Sequence, residues 1–279
     1  METKVTPRRP GYLPSALRVF DMSTGEMLWS RRTIFMGLIV GVPVLIALVV
    51  RLLFSLGAPS PRVNGTEMAG SAIFGLMIWI FYLRFIVPVL GVFYGTSLIA
   101  DEVEDRTITY LFTRPIPRGS VLLGKYFAYL ACTVLVVLPS VIIVYLCIAP
   151  VRGSLAGSFI DLIKDLVLLG IGLAAYGAVF AFIGAKFKRP LLIGLVFIFG
   201  WEQAALAFPG YLKQFTVAYY LQALVPHAMP NDGIVSLVQS IFRQTPSLGT
   251  AIVALAVIVV GFLALAASTV ERREYVLEQ

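Results

Sequence analysis

The stretch Gly249-Thr-Ala-Ile-Val-Ala-Leu-Ala-Val-Ile-Val-Val-Gly-Phe-Leu-Ala-Leu-Ala-Ala-Ser-Thr-Val270 contains no charged residue over 22 positions. A helix needs about 20 mostly apolar residues to cross the hydrocarbon core of a bilayer. Five further apolar stretches suited to this role lie at residues 34–54, 81–100, 121–148, 166–185 and 191–208. The sequence therefore predicts an all-α polytopic membrane protein with six transmembrane helices.

The composition supports the same class. The chain has 279 residues, of which 59% are hydrophobic and 13% are charged, whereas a soluble domain is about 25% charged. We predict a single membrane domain over 1–279, with a leader at 1–33 and a tail at 271–279. The second span is given the shorter limits because an earlier start would place Arg84 deep in the membrane.

The distribution of Lys and Arg predicts the orientation. Fifteen of these 22 residues lie in or beside segments 1–33, 101–125, 186–190 and 271–279, six lie on the opposite side, and Arg84 lies in or near a span. Cationic loops usually face the cytoplasm, so both termini are expected there. The same loops explain the net charge of +7, and no nucleic-acid partner is expected.

Two segments outside the spans are predicted to be helical. Residues 13–32 mix apolar and charged residues, which is typical of an amphipathic helix at the membrane interface; the alternative is a plain charged leader. The long apolar loop 209–247 is divided by prolines into pieces too short to cross, so short re-entrant or interfacial helices are expected.

The sequence carries no recognisable catalytic, cofactor-binding or metal-binding motif. The single histidine, His227, and the cysteines Cys132 and Cys147 cannot supply the three or four ligands of a zinc site. The segment 119–126 has the spacing of a phosphate-binding loop, but Tyr126 stands where Ser or Thr is required. We therefore expect a protein that is not itself an enzyme and that needs no cofactor.

A charged segment follows the second span. Four carboxylates come first, and Thr107 could then cap a short helix at 108–113 that Pro115 stops. Such a segment would form a compact element suited to docking on another protein. A solvated turn with stop-transfer charges is the alternative. The residues that define the pattern are Asp101, Glu102, Glu104, Asp105, Thr107, Leu111, Arg114, Pro115, Arg118, Gly124 and Lys125.

This pattern resembles the first cytoplasmic loop of ABC-2 type transporter permeases. The resemblance implies that segment 101–113 is a coupling helix that contacts a separate ATPase (nucleotide-binding) subunit. It also implies a second permease subunit, as in a homodimer, and a bacterial or archaeal plasma (inner) membrane. The function implied is export. The coupling residues implied are Asp101, Glu102, Glu104, Asp105, Arg106, Thr107, Leu111, Arg114, Pro115 and Arg118.

Glu202 and Arg84 are the candidate polar residues within the spans. Ionisable groups in a membrane usually face a partner or a water-filled cavity. We therefore predict that Glu202 lines a translocation path or pairs with Arg84, the alternative being a carboxylate at the outer interface.

Two glycine pairs have the GxxxG spacing that allows close helix packing. They are Gly37 with Gly41 and Gly91 with Gly95. Either pair could pack spans within the subunit or join two subunits, and incidental matches are the alternative.

Two other functions stay open from the sequence. An ion-coupled secondary transporter would use intramembrane carboxylates and often has inverted repeats. A membrane enzyme or an assembly factor without transport activity is the other. Membrane lipid is an expected partner in every case, and no pattern of side chains indicates a substrate.

Overall fold

The computed structural model describes residues 11–57, 62–63, 66–67, 69–104, 118–151, 155–207, 211–226 and 246–272. Six helices in these ranges are α-helical throughout, and α3 and α6, which contain π-helical segments, are described below. The six are α1 (Tyr12–Leu28), α2 (Arg31–Ser55), α4 (Arg118–Ile148), α5 (Phe159–Lys186), α7 (Val217–Gln222) and α8 (Leu248–Arg272). Strands β1 (Arg62–Val63) and β2 (Thr66–Glu67) form a small antiparallel pair.

Two further helices change their winding along their length. Helix α3 consists of the segments Gly70–Met77, Ile78–Ile86, Val87–Leu90, Gly91–Gly95 and Ser97–Glu104, of which the second and fourth are π-helical. Helix α6 consists of Pro190–Leu195, a π-helical segment Val196–Glu202, and Gln203–Ala207. Such wider turns are frequent at functional sites. Arg84 and Glu202 both lie within them.

The helix lengths confirm an all-α polytopic membrane protein. Among the described residues, α2, α3, α4, α5 and α8 are long and apolar enough to cross a membrane. The stretch predicted as the fifth span, 191–208, forms the shorter apolar helix Pro190–Leu206. At 1.5 Å per residue this helix is roughly 25 Å long, slightly less than a hydrocarbon core of about 30 Å.

The second span begins earlier than predicted. Its helix starts at Gly70 rather than at residue 81. The shorter limits would keep Arg84 near the membrane surface, but in the structure its guanidinium has partners inside the bundle. Its Nη1 donates to Gln203 Oε1 at 2.8 Å, and the group lies 5.0 Å from the ring centre of Trp79. These contacts compensate in part for removing the charge from water, since Arg84 Nε is buried without a hydrogen-bond partner among the described residues.

Helix α5 forms the centre of the bundle. Within its most apolar stretch 67% of the residues are buried, against 22% in α2 and 17% in α8. It packs against α4, α8 and the Gly91–Gly95 turn of α3. Helices α2 and α8 expose many large apolar side chains, an arrangement that hydrocarbon permits and water does not.

The two GxxxG pairs have different surroundings. A methyl group built on Gly91 or Gly95 would come within 2.8 Å of Tyr176 Cβ or Phe180 Cβ on α5. Nothing lies within 4 Å of the same position on Gly37 or Gly41. The pair on α3 therefore packs helices within the subunit, whereas the pair on α2 faces open space.

This difference predicts opposite outcomes for two matched substitutions. Gly95→Ala should lower the free energy of unfolding by about 1–3 kcal/mol, because overpacking forces α3 away from α5. Gly41→Ala should leave the stability of the single subunit unchanged or raise it by up to about 1 kcal/mol, since alanine favours a helix more than glycine does. Thermal unfolding of both detergent-solubilised variants measures the effect, and equal melting temperatures would contradict the prediction.

Helix α1 packs along α4. The Tyr12 hydroxyl lies against Gly119, and the Ala16 carbonyl lies against Gly124, where a Cβ would come within 2.6 Å of it. Further on, Cys132 Sγ lies 4.0 Å from the Thr24 carbonyl oxygen. The two helices therefore advance in the same direction.

The outer side of α1 carries both apolar and charged residues, the charged ones being Arg18, Asp21 and Glu26. Leu13, Leu17 and Met22 are exposed, while the small residues Ser15 and Ser23 are buried. The helix predicted over 13–32 ends at Leu28, and α2 begins at Arg31. Its position at the membrane interface stays a prediction.

The segment after α6 contains short helices, as predicted for the loop 209–247. A 3₁₀ helix covers Tyr211–Phe215, and α7 follows directly. Residues 208–210 and 227–245 lie outside the described ranges. Val217 and Leu221 of α7 are buried, so this segment folds back onto the helix bundle.

Candidate functional site

The acidic residues at the end of α3 form ion pairs with two other helices. Asp101 pairs with Arg32 at the start of α2, and Glu102 pairs with Lys125 in the second turn of α4. The Arg32 and Asp101 side chains are 49% and 34% exposed, whereas those of Lys125 and Glu102 are only 12% and 19% exposed. Screening by water weakens exposed pairs, so the Glu102–Lys125 pair contributes more to holding the helices together.

The Glu102–Lys125 pair connects the two sides of the segment that is predicted to couple to an ATPase. Helix α3 ends at Glu104 and α4 begins at Arg118, so this pair joins the helices on either side of the connection, whereas the Asp101–Arg32 pair joins α3 to α2. The predicted helix 108–113 lies outside the described residues. Six of the predicted coupling residues also lie outside them, namely Asp105, Arg106, Thr107, Leu111, Arg114 and Pro115.

Arg32 is a member of this site that sequence reasoning missed. It is 69 residues from Asp101 along the chain, and no local pattern links the two positions. Lys125 was part of the sequence pattern, but its partner was not identified. The structure brings Arg32, Asp101, Glu102 and Lys125 to one end of the bundle.

The two ends of the described chain meet at the same place. The Tyr12 hydroxyl and Glu271 Oε1 both lie beside Gly119, at the start of α4. Burial raises the pKa of the Tyr12 phenol, and the nearby Glu271 charge raises it further. Residues 12 and 271 therefore lie at the same end of the bundle as the start of α4.

A second polar cluster lies in the bundle interior around Glu202. The Tyr176 hydroxyl on α5 donates to both carboxylate oxygens, at 2.7 and 2.8 Å. The Ala218 backbone N–H at the start of α7 donates to Glu202 Oε1 at 3.1 Å. Glu202 is only 2% exposed, so the carboxylate does not lie in a wet outer interface.

Arg84 and Glu202 lie near each other without forming an ion pair, although the structure describes both. The acceptor for Arg84 is Gln203, the next residue after Glu202. The predicted direct pairing between spans is therefore replaced by two adjacent contacts. Glu202 joins α5 and α7 to α6, and Gln203 joins α3 to α6.

Comparison with known families identifies the protein class. The family model described as ABC-2 family transporter protein matches residues 22–275. The chain belongs to the ABC-2 transporter family. No curated protein matches the sequence significantly.

Both the ion pairs at the end of α3 and the Glu202 cluster lie within the region that matches the ABC-2 family. The match extends over α2 to α8 and includes the ion pairs at the end of α3 and the Glu202 cluster. The protein is thus a multi-pass membrane component of an ABC transporter, a class that works with an ATPase partner. Family membership favours this function over ion-coupled transport and over a membrane enzyme or assembly factor.

Proposed function

We propose that this ABC-2 protein is the permease subunit of an exporter, driven by a separate ATPase that docks on segment 101–118. The observation that supports docking there is the double attachment of the end of α3. Asp101 connects it to α2, and Glu102 connects it to α4. A force applied to this segment would act on three helices at once.

The rest of the proposed mechanism follows from packing. Helix α4 carries α1 on one side and contacts α5 on another, and α5 contacts α8. Motion of the α3 and α4 ends would therefore be passed to the central helix of the bundle. Nucleotide binding by the ATPase would supply the energy, and the spans would rock to open a route between subunits.

The proposed assembly contains two copies of the permease and two ATPase subunits. The open surface around Gly37 and Gly41 on α2 would allow a second subunit to approach closely. We place the complex in a bacterial or archaeal inner membrane with the coupling segment and both termini in the cytoplasm. The excess of Lys and Arg at this end supports that orientation.

Glu202 and Arg84 were predicted as a candidate translocation path. The contacts of Glu202 support a positioning role instead, because both of its oxygens accept hydrogen bonds from the protein. Its proposed task is to hold α7 and the preceding short helix against α5.

Co-purification tests the proposed function. The full-length tagged chain, expressed in its own host and extracted in mild detergent, is expected to retain a protein with ATP-binding motifs. ATP hydrolysis by that complex in proteoliposomes should respond to at least one member of a panel of lipids and peptides. Recovery of the folded chain without any ATPase under several extraction conditions would contradict the proposal.

A further inference from the structure

A cavity of about 620 Å³ lies where three parts of the chain meet at the coupling end of the bundle. It is lined by the start of α2, the last three turns of α3, and the turn from α5 into α6. This volume falls within the range of about 300–1,000 Å³ typical of small-molecule sites. The cavity is separate from the Glu202 cluster.

The cavity is lined by both charged and apolar residues. Arg32, Lys188 and Arg189 supply three cationic groups, and Asp101, which is paired with Arg32, supplies one carboxylate. Cations therefore outnumber carboxylates among these lining residues. The apolar lining residues, together called the apolar side, are Phe35, Phe93, Leu191 and Leu192.

The apolar side continues onto the outer surface of the bundle. Phe35 is 44% exposed and Leu192 is 55% exposed, and their neighbours Ile34, Leu38 and Val196 are also exposed. In a membrane protein such a surface faces hydrocarbon. The cavity is therefore open to the lipid phase as well as to the charged end of the bundle.

We propose that this cavity binds the headgroup of an anionic phospholipid, with an acyl chain lying along Phe35 and Leu192. Guanidinium and ammonium groups are the preferred partners of phosphate, and basic pockets between membrane helices bind anionic headgroups. A soluble phosphate compound would use the cations and leave the apolar side empty. The combination of both surfaces selects an amphiphile.

The test measures binding of dioleoylphosphatidylglycerol to the purified full-length chain by native mass spectrometry. The wild-type chain is expected to bind this lipid at least tenfold more tightly than dioleoylphosphatidylcholine. The double substitution Lys188→Gln/Arg189→Gln should remove that preference, and Lys188→Arg/Arg189→Lys should keep it.

The matched control is Arg51→Gln/Lys164→Gln. It removes the same charge from two exposed residues near the opposite end of the bundle, because Arg51 is at the far end of α2 and Lys164 is in the second turn of α5. It is expected to bind phosphatidylglycerol as wild type does. Size-exclusion profiles and melting temperatures establish that each variant is folded.

A second measurement uses the wild-type chain alone. A phosphatidylglycerol carrying a photoreactive group in its acyl chain should label peptides containing Phe35 or Leu192. Three outcomes would overturn the proposal: equal affinity for the two lipids, equal loss in the control variant, or labelling confined to other peptides. Competition by glycerol 3-phosphate at the same concentrations as the lipid would also overturn it, because the site would then bind a soluble anion.

Discussion

Replacing Glu102 with lysine is expected to reduce ATP hydrolysis by the assembled transporter at least tenfold. The substitution removes the partner of Lys125 and places a second cation beside it. Removing one member of a fully buried ion pair costs about 3–5 kcal/mol. We expect a somewhat smaller loss of stability here, because the two side chains keep exposed fractions of 12% and 19%.

The reversed pair separates the two roles that Glu102 could have. If it holds α3 against α4, Glu102→Lys/Lys125→Glu should restore both the melting temperature and ATP hydrolysis to within about twofold to threefold. If it contacts the ATPase directly, the reversed pair should regain stability and stay inactive. That second result would contradict the positioning role.

A surface pair provides the matched control for this experiment. Asp161 and Lys164 lie three residues apart on α5, and Lys164 Nζ is 3.1 Å from Asp161 Oδ1. Their side chains are 56% exposed for Lys164 and 37% exposed for Asp161. Exposed pairs contribute about 0–1 kcal/mol, so Asp161→Lys should have little effect on stability or ATP hydrolysis. A loss equal to that of Glu102→Lys would indicate a general response to changed charge.

The spans could be predicted from sequence because a helix that crosses the hydrocarbon core must be long and mostly apolar. Long uncharged stretches such as 249–270 have few alternatives to a membrane helix. The start of α3 could not be predicted in the same way. Its position depends on whether Arg84 finds partners at depth, and Gln203 becomes a neighbour only after α6 packs against α3.

The candidate site was predictable only in part for the same reason. Asp101 and Glu102 are conspicuous as acids directly after an apolar stretch, but their partners lie 69 and 23 residues away. Charge pairing over such distances depends on tertiary packing, which a pattern of residue types does not contain. Glu202 was similarly identified as a lone acid, while Tyr176 and the Ala218 amide were missed.

Glu202→Ala is expected to release α7 from the bundle. Without the carboxylate, the buried Tyr176 hydroxyl and the partly buried Ala218 N–H lose their acceptor. An unsatisfied buried group costs about 1–3 kcal/mol, so the Tyr176 hydroxyl alone accounts for a loss of this size and the partly buried Ala218 N–H adds less. Because α7 has only six residues, it cannot persist without tertiary contacts.

Hydrogen exchange measured by mass spectrometry tests this release directly. Peptides covering 211–226 should exchange at least tenfold faster in Glu202→Ala than in wild type, while peptides from the centre of α4 keep their protection. Asp161→Ala, which removes an exposed carboxylate from α5, serves as the control and should leave both regions unchanged. Wild-type protection of α7 in Glu202→Ala would refute the positioning role.

Glu202→Gln distinguishes positioning from direct contact with a transported molecule. The amide keeps one carbonyl oxygen as an acceptor, so α7 should retain most of its protection because the Tyr176 or Ala218 contact survives. If Glu202 only positions α7, the transport rate should fall only in proportion to the loss of hydrogen-exchange protection in α7. A variant with native protection and no transport would show that the negative charge itself is needed, and Glu202 would belong to the translocation path.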